Sequence, residues 1–220
     1  MVSSVSLPQV GVLSLQGDFA CHQAALTALG AEPRRVTLPQ DLEGLDALVM
    51  PGGESTTMLR LLEATGLRVP LETFVRRKPV LGTCAGVILL GRGAEGLPAS
   101  PLEALDVSVE RNAYGRQIDS FHSPLEAPVV GGTFPGVFIR APRIRRVGPG
   151  VEVVARRREQ EGGEPVGVRA GTTVGLCFHP ELTNDLRFHR WFLTEVAKLR
   201  LPALETAAAG PAAVTRGGSA

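Results

Sequence analysis

Two short stretches, far apart in the chain, carry residue types that could act together as a nucleophile and its base. The first is Gly-Thr-Cys-Ala-Gly at residues 82–86, with its thiol at Cys84. Apolar residues precede and follow it, so the pattern predicts a strand, a tight turn and a helix. The flanking glycines fit this turn, because β-carbons there would clash with the crossing helix. A helix N-terminus favours thiolate, and its N–H groups can hold an oxyanion. The alternative is a small buried cysteine that only packs.

The second stretch is Val-Gly-Leu-Cys-Phe-His-Pro-Glu at residues 174–181. It predicts an apolar strand that ends in a histidine and a glutamate. His179 could take the proton of the Cys84 thiol, and Glu181 could accept a hydrogen bond from the other ring nitrogen. The alternative is a strand-end histidine that a neighbouring carboxylate caps. Cys177, two residues before His179, is expected to pack in the core.

A third stretch, Pro-Gly-Gly-Glu-Ser at residues 51–55, follows a buried strand. Two adjacent glycines let a backbone approach a ligand closely. The loop could cradle a phosphate, although no established phosphate-binding motif is present. It could instead face Cys84 and bind substrate and an oxyanion, or it could be only a tight turn. Ser55 is expected to cap a helix over residues 56–64.

The surrounding elements must bring these stretches together. Predicted strands and helices alternate up to residue 91: the strands are at 10–15 and 47–50, and the helices at 19–29, 56–64 and 70–77. This alternation favours a three-layer, doubly wound, mostly parallel α/β sheet. Further strands at 105–111, 117–121, 133–140 and 151–158 predict an additional antiparallel portion packed on that sheet. A last helix is predicted over 186–199, with Asp185 as its cap. His22 is expected at the surface or on the flank of its helix, and His189 is expected to be structural or exposed.

Composition limits the classes of protein that fit. The chain has 220 residues, a formal net charge of +1 and no apolar run long enough to span a bilayer. We expect one domain over residues 1–201 and a disordered tail over 202–220. Three widely spaced cysteines predict neither a disulfide framework nor a metal site, and they fit a cytoplasmic location. The basic clusters lack interleaved aromatic residues, so nucleic-acid binding is not supported.

Taken together, these parts resemble the class I glutamine amidotransferases, whose marks are a Gly-x-Cys-x-Gly elbow and a later His-Pro-Glu. More closely, the chain resembles the family of glutaminase subunits of pyridoxal 5′-phosphate synthase. The phrases that carry this closer resemblance are Leu-Gln-Gly at 15–17, Pro-Gly-Gly-Glu-Ser-Thr-Thr-Met at 51–58, Gly-Thr-Cys-Ala-Gly at 82–86, Val-Glu-Arg-Asn at 109–112, Gly-Arg-Gln at 115–117, Asp-Ser-Phe at 119–121, Gly-Val-Phe-Ile-Arg-Ala-Pro at 136–142 and Phe-His-Pro-Glu-Leu-Thr at 178–183. The resemblance covers residues 10–199 in the same order.

The resemblance implies hydrolysis of L-glutamine to L-glutamate and ammonia. Cys84 would attack the side-chain amide and form a thioester, while His179 would act as base and then acid, oriented by Glu181. The implied oxyanion hole combines an N–H of the Gly52–Gly53 region with that of Ala85. The implied glutamine site is lined by Gly53, Glu54, Ser55, Arg111, Ile139 and Arg140.

The resemblance also implies a partner. The ammonia would pass to a separate synthase subunit in a large hetero-oligomer, and this chain would need neither a metal nor a cofactor. Family members tend to be poorly active until that subunit docks and the Gly-Gly loop turns its peptide. Three other functions stay open: a cysteine hydrolase acting on peptides or aldehydes, a non-catalytic binding subunit, and an amidotransferase that serves a purine or histidine pathway synthase.

Overall fold

A computed structural model of the chain describes residues 6–113, 120–158 and 162–202. In this part of the chain, no helix combines the length and apolar character needed to cross a membrane. The α-helices are α1 (Phe19–Ala28), α2 (Ser55–Ala64), α3 (Arg68–Val75), α4 (Ala85–Leu90) and α5 (Arg187–Trp191). The strands are β1 (Gln9–Leu13), β2 (Glu32–Val36), β3 (Ala47–Met50), β4 (Val80–Thr83), β5 (Val107–Glu110), β6 (Ser120–Ala127), β7 (Gly132–Ile139), β8 (Arg143–Val147), β9 (Glu152–Arg157), β10 (Glu164–Ala170) and β11 (Thr173–Leu176).

The described strands form one large sheet and one small one. The large sheet has the order β2-β1-β3-β4-β11-β10-β9-β6-β7. Its first five strands run parallel to one another. The other four are added by antiparallel pairing. The predicted α/β fold, with a mostly parallel central sheet and an antiparallel portion, is confirmed.

The place of the antiparallel portion differs from the prediction. We expect these strands to pack on the sheet, but β10, β9, β6 and β7 continue the sheet beyond β11. Ala170 pairs directly with Thr173, so a tight turn with Gly171 at φ 56° returns the chain beside β11. This hairpin uses the open hydrogen-bonding edge of β11, which adds strands within the plane of the sheet. Among the described strands, β5 and β8 alone pair in a separate sheet.

Helices cover both faces of the parallel strands. The chain moves from β1 to β2 in one direction and from β3 to β4 in the other, so right-handed crossovers place α1 on one face and α2 and α3 on the opposite face. α4 packs against α2. α5 lies with α1, because His189 on α5 is 3.0 Å from His22 on α1. One hydrophobic core runs through these layers from Val10 to Val196.

The last helix is not the single helix predicted over 186–199. α5 ends at Trp191, and a π-helical turn follows at Phe192–Val196, with the Ala197 N–H donating to the Phe192 carbonyl at 2.8 Å. The wider turn keeps Phe192, Leu193 and Val196 buried together. The cap position of α5 is Leu186 and not Asp185 as predicted, although the Asp185 carboxylate accepts a hydrogen bond from the Arg187 N–H at 3.1 Å. The domain boundary at 201 stays a prediction, and the predicted tail lies outside the described residues after Pro202.

Candidate active site

Cys84 occupies the turn between β4 and α4 in a strained backbone conformation, with φ 48° and ψ −106°. Its N–H donates to the Leu176 carbonyl of β11 at 2.8 Å. A β-carbon on Gly82 would lie 2.7 Å from the Gly86 carbonyl carbon, and one on Gly86 would lie 2.2 Å from the Met50 carbonyl oxygen. Both positions therefore need glycine, and the predicted elbow is confirmed. The β-carbon on Gly86 would clash with Met50 of β3, and not with the crossing helix as predicted.

His179 and Glu181 lie just beyond β11, where a short 3-10 helix begins at Pro180. Nδ1 of His179 is 2.7 Å from Oε1 of Glu181, and both side chains are buried. The His179 N–H also donates to the Val137 carbonyl at 2.8 Å, which ties this segment to β7. Nε2 of His179 is buried and has no hydrogen-bond partner among the described residues. The ring therefore has one nitrogen held by the carboxylate and the other free for proton transfer.

The charges of this pair are set by its neighbours. Burial alone would lower the pKa of His179, but the Cys84 thiol and the Glu181 carboxylate outweigh it and raise that pKa to about 10. Burial alone would raise the pKa of Glu181, but the electrostatic interaction with the neighbouring His22 and the hydrogen bond with His179 hold it well below its usual range. Near neutral pH, Glu181 is thus ionised and His179 is protonated, so the ring can give a proton to a leaving group.

The surroundings of Gly52 show that the side chains of Cys84 and His179 lie next to each other. A β-carbon at this position would lie 2.4 Å from Cε1 of His179 and 3.2 Å from the β-carbon of Cys84. The two side chains therefore border the same small space, which only a glycine leaves open. Gly52 also packs from its other side, because a β-carbon on Gly17 would lie 1.7 Å from the Gly52 carbonyl oxygen. The β1–α1 loop thus supports the Gly-Gly loop.

An open cleft of about 640 Å³ lies above these residues. Its volume suits a small molecule such as an amino acid. The predicted site residues that line it are Gly53, Glu54, Ser55, Cys84, Arg111, Ile139, Arg140 and His179. Glu181 lies behind His179 rather than at the cleft, and Ala85 is buried as the first residue of α4. Gln16, Ile88, Asn112 and Ser120 also line the cleft, and sequence reasoning gave them no role.

Glu54, and not Ser55 as expected, caps α2. The Glu54 carboxylate accepts from the N–H groups of Thr56 at 3.1 Å and Thr57 at 2.7 Å, while Ser55 is the buried first residue of the helix. The longer side chain reaches back over the first turn, where it meets the positive end of the helix dipole. Burial would raise the pKa of Glu54, but these hydrogen bonds with Thr57 and Thr56 lower it.

Arg111 lines the cleft and contacts Glu54, the cap residue of α2. Its guanidinium donates to Oε1 of Glu54 at 3.1 Å, to the Thr56 hydroxyl at 3.0 Å and to the Gly96 carbonyl at 3.0 Å. The guanidinium is therefore held at the rim of the cleft, where it can face a carboxylate. The neighbouring residues 114–119, which include the resemblance phrase Gly-Arg-Gln and most of the strand predicted at 117–121, lie outside the described residues.

Ile139 and Arg140 close the opposite side of the cleft at the end of β7. The Cys84 thiol donates to the Ile139 carbonyl, with Sγ 3.7 Å from the oxygen. Arg140 has a φ of 43°, which an arginine adopts only when its surroundings hold it there. The strain lies next to the thiol, as is common where backbone groups contact a substrate.

His22 is the contact that sequence reasoning missed. We expect it near the surface, but it is fully buried, and its Nε2 lies 3.3 Å from Oε2 of Glu181. His189 is also buried, and burial together with the neighbouring His22 lowers the pKa of His189 to about 3. The signal was present in the spacing, because His22 lies on the same face of α1 as the buried Ala25 and Leu26.

Comparisons with known proteins agree with this geometry. A family model described as "SNO glutamine amidotransferase family" matches residues 12–198. "Pyridoxal 5′-phosphate synthase subunit PdxT" of Mycolicibacterium vanbaalenii is 48% identical over 88% of this chain and 100% of its own length. The protein of the same description from Thermus thermophilus is 52% identical, over 84% of this chain and 95% of its own length.

Solved structures of other proteins also match this fold. A crystal structure of a glutamine amidotransferase matches with a TM-score of 0.79 and 48% identity, over 86% of this chain and 99% of that one. The structure of PurLQS from Thermotoga maritima has a TM-score of 0.63 over 86% of this chain and 99% of that one, and at 17% identity it supports the fold alone. The chain belongs to the SNO glutamine amidotransferase family.

Proposed function

We propose that this protein hydrolyses L-glutamine to L-glutamate and ammonia, and that the ammonia goes to the synthase subunit that makes pyridoxal 5′-phosphate. The observation that carries the proposal is the meeting of Cys84 and His179 at one cleft, with Glu181 hydrogen-bonded to His179 from behind. The substrate is supported by the match to the glutamine amidotransferase family, and the partner by relatives described as pyridoxal 5′-phosphate synthase subunits, which are 48% and 52% identical. The cytoplasmic location stays a prediction.

In the proposed reaction, the Cys84 sulfur attacks the carbon of the glutamine side-chain amide. The N–H of Ala85 and an N–H of the Gly52–Gly53 pair hold the oxyanion that forms. His179 gives its proton to the leaving nitrogen, so the carbon–nitrogen bond breaks and ammonia leaves a γ-glutamyl thioester on Cys84. His179 then takes a proton from water, which attacks the thioester and releases glutamate.

Substrate recognition is assigned to the rim of the cleft. Arg111 faces the α-carboxylate, and the backbone of Ile139 and Arg140 contacts the amino-acid end. The backbone of Gly53, Glu54 and Ser55 lines the site, because the Glu54 carboxylate is already engaged by the first turn of α2. The synthase subunit is expected to assemble with this chain in a large hetero-oligomer.

The decisive experiment combines this protein with the synthase subunit of the same organism. Formation of pyridoxal 5′-phosphate is measured with either glutamine or an ammonium salt as the nitrogen source. Cys84→Ala is expected to abolish the glutamine-dependent rate and to leave the ammonium-dependent rate unchanged. Cys21→Ser, a half-buried thiol outside the cleft, is the matched control and should keep both rates.

Two outcomes would contradict the proposal. The first is glutamine-dependent synthesis by Cys84→Ala. The second is an absence of glutamate release by the unchanged protein, both alone and with the synthase subunit. That second result would instead favour a cysteine hydrolase with another substrate or a non-catalytic subunit.

A further inference from the structure

Behind His179 and Glu181 lies a buried histidine pair that the proposed reaction does not use. His22 on α1 and His189 on α5 have no exposed surface. Nε2 of His22 lies between Oε2 of Glu181, at 3.3 Å, and the Thr83 hydroxyl, at 3.2 Å. Nδ1 of His22 is 3.0 Å from Nε2 of His189. His22 thus reaches the carboxylate oxygen that His179 leaves unused.

The chemistry of these groups decides where the proton of His22 lies. Glu181 is ionised, so both of its oxygens are acceptors. A lone pair on Nε2 of His22 would face Oε2 across 3.3 Å in a buried site, and two facing acceptors are unfavourable there. The proton of a neutral His22 therefore lies on Nε2, where it forms a hydrogen bond with the Thr83 hydroxyl. The same N–H makes an electrostatic contact with Oε2 of Glu181, an oxygen that has no hydrogen-bond partner among the described residues.

His189 completes the arrangement. With its proton on Nε2, a neutral His22 offers Nδ1 as an acceptor, so His189 donates to it from its own Nε2. Nδ1 of His189 is then an unprotonated acceptor, and it has no hydrogen-bond partner among the described residues. Burial, which disfavours charge on His189, agrees with this neutral form. The N–H of His189 thus fixes which nitrogen of His22 carries the proton.

We propose that His22 is a positioning residue: its Nε2–H holds Glu181 so that the other carboxylate oxygen faces Nδ1 of His179, and His189 keeps His22 in the required tautomer. The proposal rests on the proposed function for its kinetic consequence. Neither histidine lines the cleft, so both act on the orientation of Glu181 and not on glutamine binding. The expected signature is a change in kcat without a change in KM.

The test compares His22→Asn with His22→Gln in the full chain, assayed for glutamate release with the synthase subunit present. A glutamine side chain can place its amide N–H near the position of Nε2, whereas asparagine reaches only as far as Nδ1. His22→Asn should lower kcat by about 10- to 100-fold, as loss of a supporting hydrogen bond does at other sites, and leave KM unchanged. His22→Gln should restore most of that loss. Equal kcat values in the two variants, or a loss confined to KM, would overturn the proposal.

A second measurement needs neither a variant nor turnover. In the full chain labelled with ¹⁵N-histidine, the nitrogen chemical shifts of His22 and His189 should both report a neutral ring with its proton on Nε2. A proton on Nδ1 of His22, in a neutral or a charged ring, would overturn the proposal. If the unchanged protein releases no glutamate, the proposed function fails, and these shifts still decide the place of the proton.

Discussion

At the scale of single residues, Cys84 holds its position at a backbone cost. Its φ of 48° with ψ of −106° lies outside the regions that residues with a β-carbon prefer. Such residues persist where their surroundings hold them, and here β4, α4 and the hydrogen bond to the Leu176 carbonyl do so. The strain directs the thiol at the cleft, between the Ile139 carbonyl and the ring of His179.

This strain predicts that a glycine variant of Cys84 is more stable than an alanine variant. Cys84→Gly should unfold with a free energy about 1 kcal/mol higher than Cys84→Ala, because glycine relieves the strain while both variants lack the thiol. Urea denaturation of the two full-length variants measures the difference. An alanine variant as stable as the glycine variant would mean that the turn is not strained.

The charge of His179 predicts how stability depends on pH. The pKa of His179 is about 10 in the folded protein, against an ordinary value of 6.5. A raised pKa stabilises the folded state fully below pH 6.5, and this contribution is lost as the pH rises through 10. His179→Asn should therefore cost more unfolding free energy at pH 6 than at pH 10, by at least about 1 kcal/mol. Denaturant titrations at both pH values check this, and a cost that is constant or grows with pH would contradict it.

At the scale of elements, two loops form the floor of the site together. The β1–α1 loop reaches the Gly-Gly loop at Gly17, where φ is 98° and a β-carbon would meet the Gly52 carbonyl oxygen at 1.7 Å. Gln16 adds a second contact, because its side-chain oxygen accepts from the Glu54 N–H at 3.1 Å. The position of the proposed oxyanion donors thus depends on a loop that carries no reacting group.

Two glycine-to-alanine substitutions distinguish the effect of the contact with Gly52 from the effect of backbone strain alone. Gly17→Ala must displace the Gly52–Gly53 peptide, so we expect glutaminase activity to fall by about 100-fold, the loss typical of a misplaced group. Gly66→Ala is the matched control, because Gly66 has a φ of 69° and no atom within 4 Å of the added β-carbon. It should cost about 1 kcal/mol of stability and no activity. Equal activities of the two variants would show that the contact with Gly52 does not matter.

Local patterns in the sequence predicted the elements that carry the chemistry. The elbow at Cys84 and the strand before His179 were predictable, because turn glycines and apolar strands leave their signal within a short stretch of chain. The cap by Glu54 was not, because a serine in the next position matches the usual preference better. The contact between His22 and Glu181 was not predictable, because the two residues are far apart in sequence and the spacing on α1 indicates only that His22 lies on the buried face.

At the scale of the whole molecule, the site depends on the order of the strands. β3, β4 and β11 are neighbours and parallel, so the Gly-Gly loop, the elbow and His179 leave the same edge of the sheet. The sequence predicts this meeting once the sheet is parallel. The contribution of β7, which supplies Ile139 and Arg140, was reached only by resemblance, because β7 lies at the far edge of the sheet and no local pattern encodes that placement.

The proposed function depends on the attack of the Cys84 sulfur on the glutamine amide. It is tested most directly with a glutamine analogue that carries a diazoketone in place of the side-chain amide, followed by mass spectrometry of the peptides. We expect one adduct, on Cys84 and not on Cys21 or Cys177, formed in proportion to the loss of glutaminase activity and prevented by excess glutamine. Loss of activity with Cys84 unmodified, or modification of Cys84 with activity retained, would contradict it.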